Sequence, residues 1–345
     1  MAAPTTEPDF IWQDREIRFD IPPVDLLCRR GEFEIDSIDS IEDTKGNNGE
    51  QGQMVITNLR LMWVCQKNAK VNLTIGYNCI ISITIHTANS RLRGHTQALF
   101  VLTKFNTSRF EFIFTNCVKN SPRLFTTVQA VHRAYDTSKL YRDLKLRCAI
   151  IKEKDLVLLP KEIIQTKVSG VWNLSTDQGN LGTLYITNVR VVWFANLAEN
   201  FNVSIPYLQI KSIKVRDSKF GPAFVMETSQ AAGAYVLGFR IDPPEKMQEV
   251  FKDVTALFKI YSKQPIFGVE WDAEDVAPKL SELTIQSKAD QIEIVDEGVS
   301  DAFAAYYADG AKNADRKPVY NADIGLAVEK LRDDMTLQAL WQCLT

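Results

Sequence analysis

One stretch of this chain occurs twice. Gly52–Trp63 reads GQMVITNLRLMW and Gly182–Trp193 reads GTLYITNVRVVW, an offset of 130 residues. The offset continues without a gap from Asn72–Ile83 (NLTIGYNCIISI) to Asn202–Ile213 (NVSIPYLQIKSI). From Gly49 to Ile83, 13 of 35 positions are identical in the two copies, where unrelated sequence gives about two. A period of 130 residues is far too long for a stacked solenoid, so each copy carries its own core. The 345 residues then divide into an N-terminal segment (1–23), a first domain (24–147), a second domain (148–262) and a tail (263–345).

Each copy reads as short strands followed by one helix. Met54, Ile56, Leu61 and Trp63 lie in β-rich runs broken by the turn-prone pair Thr57-Asn58, which predicts a hairpin; Thr187-Asn188 repeats it. Glu32–Ile41 alternates apolar and polar residues with period two, and Val71–Ile75, Ile80–Ile85, Ala98–Thr103 and Phe110–Phe114 add four strands, about seven in all. A helix follows in each copy. Ser121 is expected to cap the first, with Pro122 at its first position and Leu124, Val128, Val131 and Tyr135 as its apolar stripe. Asp242 and Pro243 stand in the same relation to Met247, Val250, Val254, Leu257 and Tyr261. A seven-stranded sandwich plugged by one amphipathic helix resembles the pleckstrin-homology-like architecture, and its rival, an eight-stranded sandwich, accommodates the repeated helix poorly.

Composition narrows the function. Lys and Arg number 40, Asp and Glu 43, and the net charge of −3 is too small to suggest nucleic-acid binding. The mean hides an asymmetry: Lys263–Thr345 holds 16 acidic and 8 basic residues, leaving the body at +5 and the tail at −8. No run of about 18 apolar residues predicts a spanning helix, and the acidic N-terminus carries no signal-like apolar region. Six scattered cysteines without a C-x-x-C pair read as free thiols of a reducing compartment, so the N-x-S/T sequons at Asn72, Asn106, Asn173 and Asn202 carry no weight. The three histidines, His86, His95 and His132, have no cysteine or second histidine at metal spacing, and His132 is expected to have a surface or capping role. No nucleophile-elbow, Walker or dinucleotide motif occurs, and Lys45–Gly49 reads as a turn. The expectation is therefore no catalytic residue, no metal and no cofactor.

In the tail, Lys279–Val299 is acidic and interrupted, Phe303, Tyr306 and Tyr307 form an aromatic cluster, and Asn321–Leu344 reads as a helix carrying Ile324, Val328, Leu331, Leu337, Leu340, Trp341 and Leu344. Such a segment is expected to pack along the two domains or on a partner, with Phe303, Tyr306, Tyr307, Leu337 and Trp341 as candidate partner-binding residues.

Anion binding is the one chemistry with residues behind it. A multiply charged head group needs several Lys or Arg at one loop edge. The second copy offers Lys211, Lys214, Arg216 and Lys219 in IKSIKVRDSKFG, with Lys214, Arg216 and Ser212 on one strand face. The first copy has uncharged residues there but places Arg91 and Arg93 in the following loop and Lys45 between its first two strands. For any single lysine, a solvated strand face is the weightier reading. Arg60 and Arg190 recur at one place in both copies and read as structural, and Trp63 and Trp193 as core aromatics.

The strings GNNGEQGQMVITNLRLMW and DQGNLGTLYITNVRVVW resemble the GRAM and GLUE branch of pleckstrin-homology-like domains. Longer strings are more specific. SIEDTKGNNG, GYNCI, HTANSRLRG, RFEFIFTN, VHRAYDTSKLYRD, GVWNLSTDQGNLGT, FNVSIPYLQI, RDSKFG and the tail motif DAFAAYYADG together resemble the Bardet–Biedl syndrome family of BBSome subunits over nearly the whole chain. The resemblance implies a non-enzymatic adaptor of the coat that moves membrane proteins into and out of cilia, partnered by other BBSome subunits. It also implies phosphoinositide binding by the domain pair and a cytoplasmic, peripheral location at the cilium, ciliary membrane and basal body. It tips the basic cluster toward membrane contact. The K-x-R-x-R pattern by which many pleckstrin-homology domains hold phosphates is missing from both copies, which makes a lipid site non-standard or weak. The alternatives are a scaffold whose copies bind only proteins, and an enzyme acting on lipids.

Overall fold

The computed structural model describes residues 12–174 and 179–270, together with the backbone of 318–321 and 326–329. The first copy comprises β1 (Ile17–Phe19), the single turn α1 (Pro23–Leu26), β2 (Glu34–Asp43), β3 (Gln51–Thr57), β4 (Arg60–Cys65), β5 (Asn72–Gly76), β6 (Ile80–Ser90), β7 (Gly94–Phe105), β8 (Ser108–Asn116) and the closing helix α2 (Arg123–Thr137). Its sheet runs β1-β5-β4-β3-β2-β8-β7-β6. A linker carries β9 (Lys145–Leu146) and the small ribbon β10 (Ile151–Lys152) and β11 (Asp155–Leu156). The second copy follows with β12 (Ile164–Asn173), β13 (Asn180–Thr187), β14 (Arg190–Ala195), β15 (Ala198–Pro206), β16 (Ile210–Ser218), β17 (Gly221–Thr228), β18 (Val236–Ile241) and α3 (Pro244–Lys263). Its order, β16-β17-β18-β12-β13-β14-β15-β9, reproduces the first.

The expected seven strands are thus β2–β8 and β12–β18, and each sheet gains an eighth from the segment before it. β1 pairs with β5, and β9 with β15. Strands of three and two residues have no readable period. A side chain from the repeat holds each in place. The Asn72 amide accepts from the Ile21 N–H and donates to the Ile21 carbonyl, both at 2.9 Å. Asn202 does the same to Cys148, at 3.0 and 2.8 Å. Two sequon asparagines are therefore buried backbone clamps.

The helices bury the expected stripes: Leu124, Val128, Val131 and Tyr135 on α2, and Met247, Val250 and Val254 on α3, with Leu257 and Tyr261 packed alongside. Each helix starts one residue later than expected. Pro122 and Pro243 are the caps, and neither start has a side-chain capping bond, because proline carries no side-chain acceptor; the Asp242 carboxylate accepts from Arg240. His132 is half-buried on α2, where it packs edge-on against buried Tyr77, ring centroids 6.0 Å apart, and burial lowers its pKa.

Inside each copy the same polar device recurs. Arg60 Nε donates to Glu32 Oε1 at 2.8 Å, with both side chains 1% exposed, and Thr57 Oγ1 donates to the same oxygen. Arg190, Glu162 and Thr187 repeat the arrangement at 2.8 Å. Trp63 and Trp193 donate through Nε1 to the Ile41 and Val171 carbonyls, each at 3.0 Å. The two sandwiches are tied together. Leu208 of the second copy joins the first copy's core, as do Phe267 and Val269 beyond α3. Residues 264–270, placed in the tail by composition, therefore form a strap. Phe267 stacks edge-on with Trp12 at 5.7 Å, and its carbonyl accepts from Arg142 Nη1 at 3.1 Å. Gly31 (φ +75°) makes room for the strap, since a Cβ there would lie 2.7 Å from Phe267 Cε2.

In the far tail, β19 (Pro318–Asn321) and β20 (Leu326–Glu329) pair antiparallel. This corrects the helix expected from Asn321. Val319, Tyr320 and Val328 are β-formers, and their short runs outweigh the helical spacing read across them. The rest of that expected helix lies outside the described residues.

Candidate functional site

Glu42, wholly buried at the end of β2, organises the β6–β7 hairpin tip. It accepts from Ser90 Oγ and, at 2.9 Å, from the Arg91 N–H. Ser90 Oγ in turn accepts from the backbone of Leu92 and Arg93, at 3.2 and 2.9 Å. The tip is rigid for that reason, and it holds Leu92 outward, 52% exposed, between two arginines. The loop from β2 to β3 lies beside it: a Cβ on Gly49 would meet Arg91 Cδ at 3.0 Å. The fold thus brings Lys45, Arg91 and Arg93 to one end of the first sheet. Lys45 and Arg93 are held by bonds within the first copy. Lys45 Nζ is 2.8 Å from Glu111 Oε2, and Arg93 Nη1 donates to the Asn116 carbonyl at 2.7 Å.

In the second copy the candidates lie on β16 and its turn into β17. Ser212, Lys214 and Arg216 do share one face, and all three converge on Glu227 of β17, at 2.7, 3.3 and 2.7 Å. The Ser212 hydroxyl and then the Lys214 ammonium hold the Glu227 carboxyl below its ordinary pKa, so it stays ionised and offsets part of the positive face. Lys211 sits where the β16–β17 register shifts between Ile210 and Ser212, a bulge that takes it out of the alternation. At the tip, Ser218 Oγ donates to the Gly221 carbonyl at 2.7 Å, and Lys219 Nζ lies 5.2 Å from the ring centre of Phe220, itself 38% exposed. Sequence reading identified the cations but not Glu227, which lies eleven residues beyond Arg216 on the neighbouring strand, nor the apolar residue at each tip.

Phe303, Tyr306, Tyr307, Leu337 and Trp341 lie outside the described residues. Among the described residues, no group of three His, Cys, Asp or Glu side chains could hold a metal ion, and no helix is long and apolar enough to cross a membrane.

Known proteins share this arrangement of two copies. Residues 32–137 match the family "Bardet-Biedl syndrome 5 protein N-terminal PH-like domain", and residues 145–271 match its "second PH-like domain". A Homo sapiens relative, "BBSome complex member BBS5", is 58% identical over 337 residues, covering 98% of this chain and 99% of the relative. A Danio rerio relative of the same name is 59% identical over 334 residues, covering 97% and 98%. The Caenorhabditis elegans relative "BBSome complex member bbs-5" is 46% identical over 348 residues, covering 96% of each chain.

Proposed function

This chain belongs to the Bardet-Biedl syndrome 5 protein family, and on that premise we propose that it is a non-enzymatic adaptor subunit of the BBSome coat. Its domain pair contacts phosphoinositide-containing membrane, and its remaining surface docks on other BBSome subunits, in support of ciliary membrane-protein trafficking. Its place is peripheral, on the cytoplasmic side of the ciliary membrane and at the basal body.

The observation that carries the lipid part is the make-up of the two hairpin tips. Each sets a cation beside an exposed apolar side chain: Arg91 and Arg93 flank Leu92, and Lys219 flanks Phe220. That pairing suits a bilayer interface, where the apolar group enters the headgroup layer and the cation stays at the phosphates. Each basic residue near an anionic leaflet contributes about 1 kcal/mol. The internal partners of Lys45, Arg93, Lys214 and Arg216 make the isolated chain a weak binder. Attachment to a multi-subunit coat raises the effective concentration and makes a weak site sufficient.

Flotation of the full chain on phosphoinositide-containing liposomes tests this reading. Lys211→Glu/Lys214→Glu/Arg216→Glu is expected to weaken flotation. Glu227→Gln, which releases Lys214 and Arg216 from their counter-ion, is expected to increase it. Unchanged binding in both variants would remove the edge-strand cluster from the lipid site, and a parent chain that does not float at all would leave a scaffold that binds only proteins.

A further inference from the structure

Duplication gives the two sheets equivalent edges, and they are finished differently. β6 and β16 each stand at the end of their sheet, with one neighbouring strand among the described residues. An edge strand presents every second N–H and C=O outward, and folded chains guard such edges with charge, above all lysine. β16 is guarded: Lys211, Lys214, Arg216 and Asp217 stand on it. β6, at the same offset, reads IISITIHTANS and holds no Lys, Arg, Asp or Glu in 11 residues. The substitutions are position for position: Ile81 for Lys211, Thr84 for Lys214, His86 for Arg216 and Thr87 for Asp217. Both strands bulge at the same place, so Ile81, 49% exposed, is the bulged residue as Lys211 is. From Ser82 to Ser90 the pairing with β7 then runs without a shift, a regular template nine residues long.

We propose that the edge of β6, which has one neighbouring strand among the described residues, is a strand-addition site for an extended segment of a partner subunit. The occupant is an uncharged, β-branched-rich stretch of about five or six residues, the usual strand length. The chemistry follows from the edge. A charged residue laid along Ile81–Ile85 finds no counter-ion in β6 and loses hydration, whereas Thr, Val, Ile or Ser pairs with Ser82 and Thr84 on one face and Ile83 on the other. Main-chain bonds supply the affinity, and the absence of charge selects against acidic and basic segments. The edge of the second copy, charged at the equivalent positions, refuses the same segment. The inference rests on the chain's place in a multi-subunit assembly and not on lipid binding.

The test compares backbone amide exchange of the full chain, free and reconstituted with the purified remaining BBSome subunits. Exchange within Ser82–Thr87 is expected to slow by about tenfold or more on assembly. Ile81→Lys/Thr84→Lys/Thr87→Asp, which copies the guarded edge, is expected to lower incorporation by about tenfold or more while leaving the melting temperature unchanged. Incorporation with unaltered β6 exchange overturns the inference and leaves the adaptor reading standing. A chain that does not incorporate at all overturns both. β6 amides already slow in the free chain would mean that this chain or a second copy fills the edge, and sedimentation of a dimer would identify the latter; either result overturns the partner assignment.

Discussion

The identities that mark the duplication are residues whose environment admits no substitute. Gly52 and Gly182 are one such pair. A Cβ on either would lie 2.6 Å from Cε2 of Trp63 or Trp193, so the indole lies flat on the strand only because glycine is there. Gly182→Ala is expected to cost about 1–3 kcal/mol by overpacking, against about 3–5 kcal/mol for Trp193→Ala; denaturant unfolding of the two variants measures both. Arg190 is another. With Glu162 it is wholly buried, and removing one member of a buried ion pair leaves the other uncompensated. Arg190→Met is expected to cost about 3–5 kcal/mol, and Glu162→Leu/Arg190→Met to cost less than the single change. Equal losses in the single and double variants would mean that the pair is not the source. The structural role of the arginines was legible in their repetition. Their partners were not, because the ungapped match begins at Gly49 and the glutamates stand earlier; the same offset of 130 nevertheless separates Glu32 from Glu162.

Among the elements, those with a period were legible and those without one were not. The helix stripes and the seven strands of each copy follow from spacing, whereas β1 and β9 are held by an asparagine amide in another strand. The segment before β1 has a titratable anchor. Asp14 is buried under the first copy, where its carboxylate accepts from Tyr135 Oη at 2.5 Å. Burial raises its pKa above the ordinary 3.8, despite the opposing Tyr135 bond and Arg15. A carboxyl whose folded-state pKa is raised opposes folding where it is ionised, above that pKa, and the penalty is relieved as pH falls through it. The first copy is therefore expected to gain stability as pH falls through the folded-state pKa toward the ordinary 3.8, and to change little through this group above it. Asp14→Asn is expected to flatten that dependence, as thermal melts across pH 4.5–7.5 would register. A variant that keeps the wild-type slope would assign the dependence to another group.

Across the whole molecule, the sequence division at residue 263 follows a real change of composition, yet the first residues of the tail serve the body. The strap 264–270 bridges both copies: Phe267 lies in the first core, and Glu270 Oε1 is 2.7 Å from Lys161 of the second copy's approach loop. Charge and period could not announce this, because a single aromatic filling a gap between domains leaves neither signal. Leu208 and the Gln209 Nε2 bond to the Arg142 carbonyl, 2.6 Å, complete the junction, so the copies are coupled through one buried seam. Two domains joined through a well-packed seam unfold together, and a weakened seam separates them. Phe267→Ala removes a ring that is 2% exposed and stacked on Trp12, at an expected cost of about 3–5 kcal/mol. Scanning calorimetry of this variant is expected to resolve two transitions, the first copy melting below the second, where the parent chain shows one. A single transition at the parent temperature would mean that the Phe267 ring does not carry the coupling and that Leu208 and the Gln209–Arg142 bond suffice for it. The seam that couples the copies also sets the orientation of one hairpin tip relative to the other, on which the lipid contact proposed for both depends.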